Sequence, residues 1–550
     1  MTRLPPKWIA RCPAPLWVVV LSWALLPWSP AWSADAVPPL PPAPAPENAA
    51  QSRSSSNFAV SSASLKGAGS CSAANCHGGV GGEGFRARDA QGPLGERRQP
   101  AANVASHGGQ KADFELGTEY GVWLEKDPHA IAFSTLFSER SVRIAKKLGL
   151  PAAHEAKVCL ACHATMTDSE LESFPDQISA HGNDRLIQLR DGISCESCHG
   201  EADGWLEPHK QLNWRTSPSI NGLGFVDVRK IEVRANACVK CHVGAPGRDV
   251  DHDLIAAGHP RLYFELAAYQ DKLPRHWSRK QDVKLNTPLD ARLWLVGQLV
   301  SADAALQLLE YRATKKPAGS WLARGGKEPA AGTAPWPEFA ELSCFACHHD
   351  LVIPSWRQSQ PFSKNFGDAP WGNWQYSAVE RLAGVLEKGG SQGIGTELAA
   401  LQSTMRQPLP DRKLVAKQAS DLRDRIGGMR HRFSTGIPIP SGAVTDFGVA
   451  LTDPGAQSLA DWDRATQIYL GLFALSESLR EQQALRADSA AAVVTALNEM
   501  LEQLRFSSKP SGLGFDSPFD FAVKNQDGID KSPEQFQRHV EAVRRGLSAP

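Results

Sequence analysis

Apolar residues recur at helical spacing most clearly in the last third of the chain. In residues 461–482, Trp462, Ala465, Tyr469, Leu472, Phe473 and Leu479 return every three or four positions, the period of an amphipathic helix. Residues 412–426 and 493–506 repeat the pattern more weakly. Ser532-Pro533-Glu534-Gln535 has the form of a capping box with proline at the first helical position, and it predicts where a last helix starts. These stripes predict a helical bundle over residues 365–550 whose apolar positions are core. Further upstream, Asp127-Pro128 reads as a cap followed by a helix-starting proline. It predicts a helix running through residues 130–148 with its own apolar stripe.

The other strongly apolar segment is the run from Leu16 to Leu26. Arg3, Lys7 and Arg11 precede it, and the small residues of Ala31-Trp-Ser-Ala-Asp-Ala36 follow it. That order is the pattern of a secretory signal peptide over residues 1–36. The run is shorter than the roughly 20 residues that cross a bilayer, so a membrane association is expected only if the segment is retained. Cys12 precedes the apolar run, which argues against a lipoprotein. Residues 37–66 are rich in Pro, Ala and Ser, too poor in apolar surface to order themselves, and read as a disordered linker. Residues 78–117 hold many Gly and polar residues and predict a long surface loop. The expected destination is the periplasm or another extracytoplasmic space.

Composition removes one class of function. Lys plus Arg equals Asp plus Glu at 59 each, so the chain lacks the basic excess of a nucleic-acid binder.

Of the 11 cysteines, all but Cys12 fall between residues 71 and 347. In an exported chain, ten such cysteines would ordinarily mean five disulfides. Their spacing says otherwise. Cys159-Leu-Ala-Cys162-His163, Cys195-Glu-Ser-Cys198-His199, Cys238-Val-Lys-Cys241-His242 and Cys344-Phe-Ala-Cys347-His348 are each C-x-x-C-H, the attachment signature of c-type haem. Two thiols add to the two vinyl groups on one porphyrin edge, and the adjacent histidine reaches the iron as proximal ligand. Zinc or a redox dithiol would not demand a histidine directly after every second cysteine. Cys71-Ser-Ala-Ala-Asn-Cys76-His77 has a longer spacing. It reads as a fifth attachment site, the alternative being a Cys71–Cys76 disulfide. The expectation is about five haem c groups, with His77, His163, His199, His242 and His348 as proximal iron ligands.

Gly192-Ile-Ser-Cys-Glu-Ser-Cys-His-Gly200, Trp205-Leu-Glu-Pro-His209, Trp123-Leu-Glu-Lys-Asp-Pro-His129-Ala and Ala257-Gly-His259-Pro-Arg261 resemble the multihaem cytochrome c552/c554 group, a relative of the octahaem hydroxylamine oxidoreductases. The resemblance covers roughly residues 68–350 and stops before the C-terminal helices. The absence of a C-x-x-C-K site departs from the pentahaem nitrite reductase pattern. The resemblance implies a second, distal histidine on most irons. Local context ranks His129, His209, His259 and His154 first, with His252, His107 and His181 behind them; His349 directly follows a proximal ligand, and His431 and His539 read as surface residues.

The fold expected is mostly α: a multihaem cytochrome core over residues 67–360 with long loops and little sheet, then the C-terminal helical bundle. The function expected is electron transfer with redox partner proteins. The alternative is a haem oxidoreductase acting on hydroxylamine, nitrite or a similar small nitrogen compound at one five-coordinate iron.

Overall fold

The computed structural model describes residues 65–74, 76–78, 116–173, 187–216, 222–317, 333–344, 347, 370–372, 374–386, 393–433, 439–453, 461–504 and 533–548. The leader, residues 37–64 of the linker, most of the 78–117 segment, Ser532, His107, His181, His348 and His349 lie outside the described residues.

Helices carry the architecture. Those that position the site are α1 (Glu119–Lys126), α2 (Glu139–Lys147), α3 (Lys157–His163), α4 (Cys195–His199), α5 (Ile231–His242), α6 (His252–Ala257) and α7 (Leu266–Lys272). The long α8 (Leu289–Thr314) follows. After it come α9 (Ser377–Leu386), α10 (Ile394–Met405), α11 (Arg412–Arg430), α12 (Ser441–Leu451), α13 (Trp462–Glu481), α14 (Ala487–Leu504) and α15 (Pro533–Ser548). Among the described residues the only sheet is a parallel pairing of Lys316–Pro317 with Thr333–Ala334.

The second half packs as a solid helical body around α8. This helix buries side chains on every side, Trp294, Leu299 and Leu306 among them. A helix apolar all round lies in an interior, and α5, α11 and α13 surround it. The core so formed runs from Ile231 to Leu547. It therefore begins well before residue 365, and α5, which carries a cysteine motif, is part of it. Ion pairs fasten α11 to α8 and α5. Arg423 reaches Asp303 at 3.3 Å and Glu310 at 2.7 Å, and Arg430 reaches Asp303 at 3.1 Å and Glu232 at 3.4 Å. His539 does not stand free at the surface: its Nδ1 lies 2.7 Å from Glu499 and joins α15 to α14.

The first half has no core of that size. Leu136, Ala145, Leu160 and Leu189 form one small cluster, and Ile144, Leu254 and Ala257 another. The helix expected through residues 130–148 is broken. Pro128–Ile131 and Ser134–Phe137 are short 3-10 turns, and regular helix begins only at Glu139. The cause is local. The hydroxyls of Ser134 and Thr135 donate back to the carbonyls of Ile131 and Ala132, offering the backbone an alternative to helix, and Ser138 caps a new start by accepting from Ser141 N. Among the described residues no helix is long and apolar enough to cross a membrane.

Gly471 sets the closest approach of α13 to α8. A Cβ there would lie 2.6 Å from both Trp294 Cζ2 and Leu451 Cδ1. Gly471→Ala is expected to destabilise the protein by about 1–3 kcal/mol through overpacking. Thermal unfolding followed by helical circular dichroism reads this directly, and an unchanged midpoint would show that the contact has slack.

Candidate haem-binding site

Each described C-x-x-C-H motif of the first half occupies the last turn of a helix. α3 ends on Cys159–His163, α4 consists of Cys195–His199, and α5 ends on Cys238–His242. Positions i and i+3 of a helix share a face, so one turn presents both thiols to the same space and the next residue adds an imidazole.

That space is a single cavity of about 3280 Å³, well beyond the ~300–1,000 Å³ of an ordinary ligand pocket. The cysteines and histidines of the first four motifs all line it, together with His129, His209, His259 and His276. Two sulfur contacts show how tightly the motifs are gathered. The Cys71 thiol is hydrogen-bonded to Cys195, and Cys162 to Cys241. The first motif thus neighbours the third, and the second neighbours the fourth.

Motif histidines meet other histidines across the cavity. The rings of His77 and His209 have centroids 6.2 Å apart, and those of His242 and His129 are 6.0 Å apart. Two metal–nitrogen bonds of roughly 2 Å each, extended to the ring centres, span about the same distance. His163 is close enough to His259, and His276 to His199, to depress the partner's protonation. Burial is the larger cause in both cases and brings His199 and His259 down to about 4. Burial, then His129 and His163, brings His242 to about 4. Burial also lowers His163 and His276. Neutral imidazole is the form that binds a metal.

The second nitrogen of five rings around the cavity faces an oxygen. Nδ1 of His77 lies 3.1 Å from Glu119 Oε2, and that of His129 lies 2.9 Å from Asp127 Oδ1. Nδ1 of His163 lies 2.9 Å from the Ala132 carbonyl, that of His209 2.5 Å from Leu206, and that of His259 2.8 Å from Pro260. All five partners are acceptors only, so Nδ1 must carry the proton and Nε2 keeps its lone pair. At His77 the interaction of the ring N–H with the accepting Glu119 carboxylate raises the pKa. At His129 burial works against protonation, but the Asp127 hydrogen bond and charge outweigh it.

The local sequence explains how these rings are placed. Asp127 accepts from His129 N at 2.9 Å and caps the turn that Pro128 begins. Gly192, at φ 66°, lets the loop before the third motif touch that turn: Ile193 N donates to the His129 carbonyl at 3.0 Å, and a Cβ on Gly192 would lie 2.6 Å from the same oxygen. His209 N bonds the Trp205 carbonyl at 2.9 Å, with the two rings edge to face at 5.5 Å. The donor set and the largely apolar lining fit haem c: paired thiols on one edge, and imidazoles with free Nε2 on two sides.

The remaining candidates fall elsewhere. His154 stacks on Phe137 at 4.3 Å and is outside the cavity lining. His252 begins α6, accepts no place in the cavity, and packs edge-on against Phe339 at 5.6 Å. Cys344 and Cys347 also stand outside the cavity, and Arg261 Nη1 lies 3.4 Å from Cys344 Sγ. His276 drew no expectation from sequence. It sits in Pro274-Arg275-His276-Trp277-Ser278-Arg279-Lys280, which reads as a solvated loop, and only the fold brings it to the third motif.

Residues 117–200, which contain His129 and the second and third motifs, match the model of the family described as Cytochrome c554 and c-prime. No curated protein and no solved structure matches the chain. The family match supports a cytochrome of the c554 type, and with it haem c as the cofactor.

Proposed function

We propose that this chain is an extracytoplasmic electron-transfer protein that attaches about five haem c groups and exchanges electrons with redox partner proteins. The observation that carries the reading is the shared cavity, in which each of four motif histidines has a second histidine near it. Iron held by two imidazoles changes oxidation state without offering a site to a small substrate, which favours electron transfer over catalysis. Haem supplies reversible one-electron chemistry when bound. The chain's own residues do the rest: the cysteine pairs fix each porphyrin edge, and the oxygen acceptors at Nδ1 hold the ring orientation. The proximal ligands are assigned to His77, His163, His199 and His242 in the cavity and to His348 at the fifth motif. The distal ligands are assigned to His209, His259, His276 and His129 in the same order. The closeness of motif sulfurs supports haems lying near one another in pairs, which would suit rapid exchange of electrons. The proposed export agrees with c-type attachment chemistry, which in bacteria takes place outside the cytoplasm.

Intact-protein mass of the exported chain is expected to show five covalent haems. A mass corresponding to four would remove one attachment, most directly the widely spaced Cys71/Cys76 pair.

The oxidised protein is expected to be mainly low-spin. His209→Ala and His276→Ala should each free one iron and add a high-spin band in the visible spectrum. A His276→Ala spectrum identical to the native one would strike His276 from the ligand set. A substantial high-spin fraction in the native protein, with turnover of hydroxylamine or nitrite, would favour the enzymatic alternative.

Asp127→Asn should raise the reduction potential of one haem. The carboxylate on Nδ1 makes His129 a more basic ligand and so favours the oxidised iron; the amide removes that negative charge. Spectroelectrochemical titration would show one of the potentials moving upward, and a downward move would contradict the assignment.

A further inference from the structure

The fifth motif lies apart from the other four, and one extended stretch of chain stands between them. His259, Pro260, Leu262 and Phe264 line the four-motif cavity, whereas Arg261 and Tyr263 do not. From 260 to 264 the side chains therefore alternate, as they do along an extended strand. Phe264 turns toward the cavity and stacks on the His242 ring at 5.4 Å. Tyr263 turns to the other side, where its ring meets Trp374 at 4.8 Å and Trp462 at 5.7 Å. The Arg261 guanidinium lies over Tyr263 at 5.3 Å, pairs with Asp463 of α13 at 3.5 Å, and reaches Cys344 Sγ at 3.4 Å. The Trp374 indole donates to the Phe264 carbonyl at 2.9 Å and locks the stretch against the helical body.

We propose that residues 260–264 form a wall one chain thick between the four-motif cavity and the Cys344/Cys347 motif, and that this wall is the route by which electrons would pass from haems in the cavity to a haem attached at Cys344/Cys347. The inference rests on the five-haem reading above. Phe264 and Tyr263 are consecutive residues, so the two rings are joined by a short covalent path, and Arg261 continues it to the thioether sulfur. With haem attached on both sides, the transfer would take one electron from a reduced group in the cavity to an oxidised one beyond the wall, with no bond formed or broken. Arg261 is a positioning residue. Its buried positive charge sits beside the fifth attachment, where it favours the reduced state of that haem and makes it the natural place for an electron to settle.

The test uses the exported holoprotein, with haem content counted by mass before each measurement. In Tyr263→Leu with five haems, the slowest intramolecular redistribution after rapid photoreduction should slow severalfold, while Tyr263→Phe keeps the native rate. In Arg261→Gln, one of the five potentials should shift downward, and Arg261→Lys should restore it. Native kinetics in a five-haem Tyr263→Leu variant would overturn the route. Unchanged potentials in Arg261→Gln would overturn the role of the guanidinium, and this arm stands by itself if Tyr263→Leu loses haem. A native chain of four haems that lacks the Cys344/Cys347 attachment would overturn the five-haem reading and the wall together, whereas four haems lacking the Cys71/Cys76 attachment would overturn the count and leave the wall to the kinetics.

Discussion

An imidazole has two nitrogens, and leaving a buried one without a partner costs free energy. Around the cavity, five rings place Nδ1 against an oxygen that can only accept: Glu119, Asp127, and the carbonyls of Ala132, Leu206 and Pro260. That commitment dictates where the proton sits and turns the other nitrogen, with its lone pair, inward. Much of the surrounding chain can be understood as the means of supplying those acceptors. The 3-10 turns at 128–131 and 134–137 bring the Ala132 carbonyl to His163. The Asp127 cap serves the backbone of His129 and its ring at once. The Trp205–His209 hydrogen bond brings Leu206 within reach of the His209 ring.

The same requirement explains why the first half carries so little core of its own. Side chains that elsewhere would pack on each other instead line the cavity, and their apolar surface is removed from water by whatever fills it. The helical body supplies the rigidity the cavity half lacks. α5 belongs to both. Ile231, Ala235 and Val239 pack into the large core, while Cys238, Cys241 and His242 face the cavity. Buried polar links hold the junction between the halves. Arg312 of α8 reaches Asp249 at 2.5 Å and Glu341 at 2.7 Å, joining the loop before α6 to the stretch that leads into the fifth motif. Charges so buried are costly unless fully paired, and removing either carboxylate would leave the guanidinium exposed to that cost.

What was legible in the sequence follows from how local each requirement is. Covalent attachment needs two thiols and an imidazole within one turn, so the motifs could be read without any knowledge of the fold. His129, His209 and His259 carried local signs: a cap, a tryptophan four residues earlier, a Gly-His-Pro context. The structure gathers all three at the cavity. His276 needed tertiary information, because its neighbours in sequence are polar and its partner lies in a motif far upstream. His154 had the right context and lies on Phe137 instead. The helical bundle was visible where apolar residues recur at helical spacing, as at residues 461–482, although α13 is itself buried on most sides. α8 was not, because its apolar residues are spread evenly around the helix and no one stripe stands out in the sequence. The helix expected through 130–148 failed for the opposite reason: its apolar spacing was genuine, but three hydroxyl side chains competed for the backbone.

A cavity with several redox groups needs boundaries as much as connections. Low-dielectric walls strengthen every fixed charge inside them, so the few charged groups placed next to the candidate sites have large local effects. Carboxylates stand behind two of the cavity rings, at Asp127 and Glu119, and on the proposed reading would favour the oxidised state there. Carbonyl dipoles stand behind three others and do so less strongly. A guanidinium stands at Cys344, paired with a carboxylate contributed by α13, and works in the reverse sense. These choices are made by side chains on different elements: a cap before a 3-10 turn, the first turn of α1, an extended stretch, and a helix of the C-terminal body. On that argument the helical body is more than a support. By delivering Asp463 and Trp462 to Arg261 and Tyr263, it sets the electrostatics beside Cys344, so on the proposed five-haem reading the energy profile would depend on packing in a region that carries no cysteine at all.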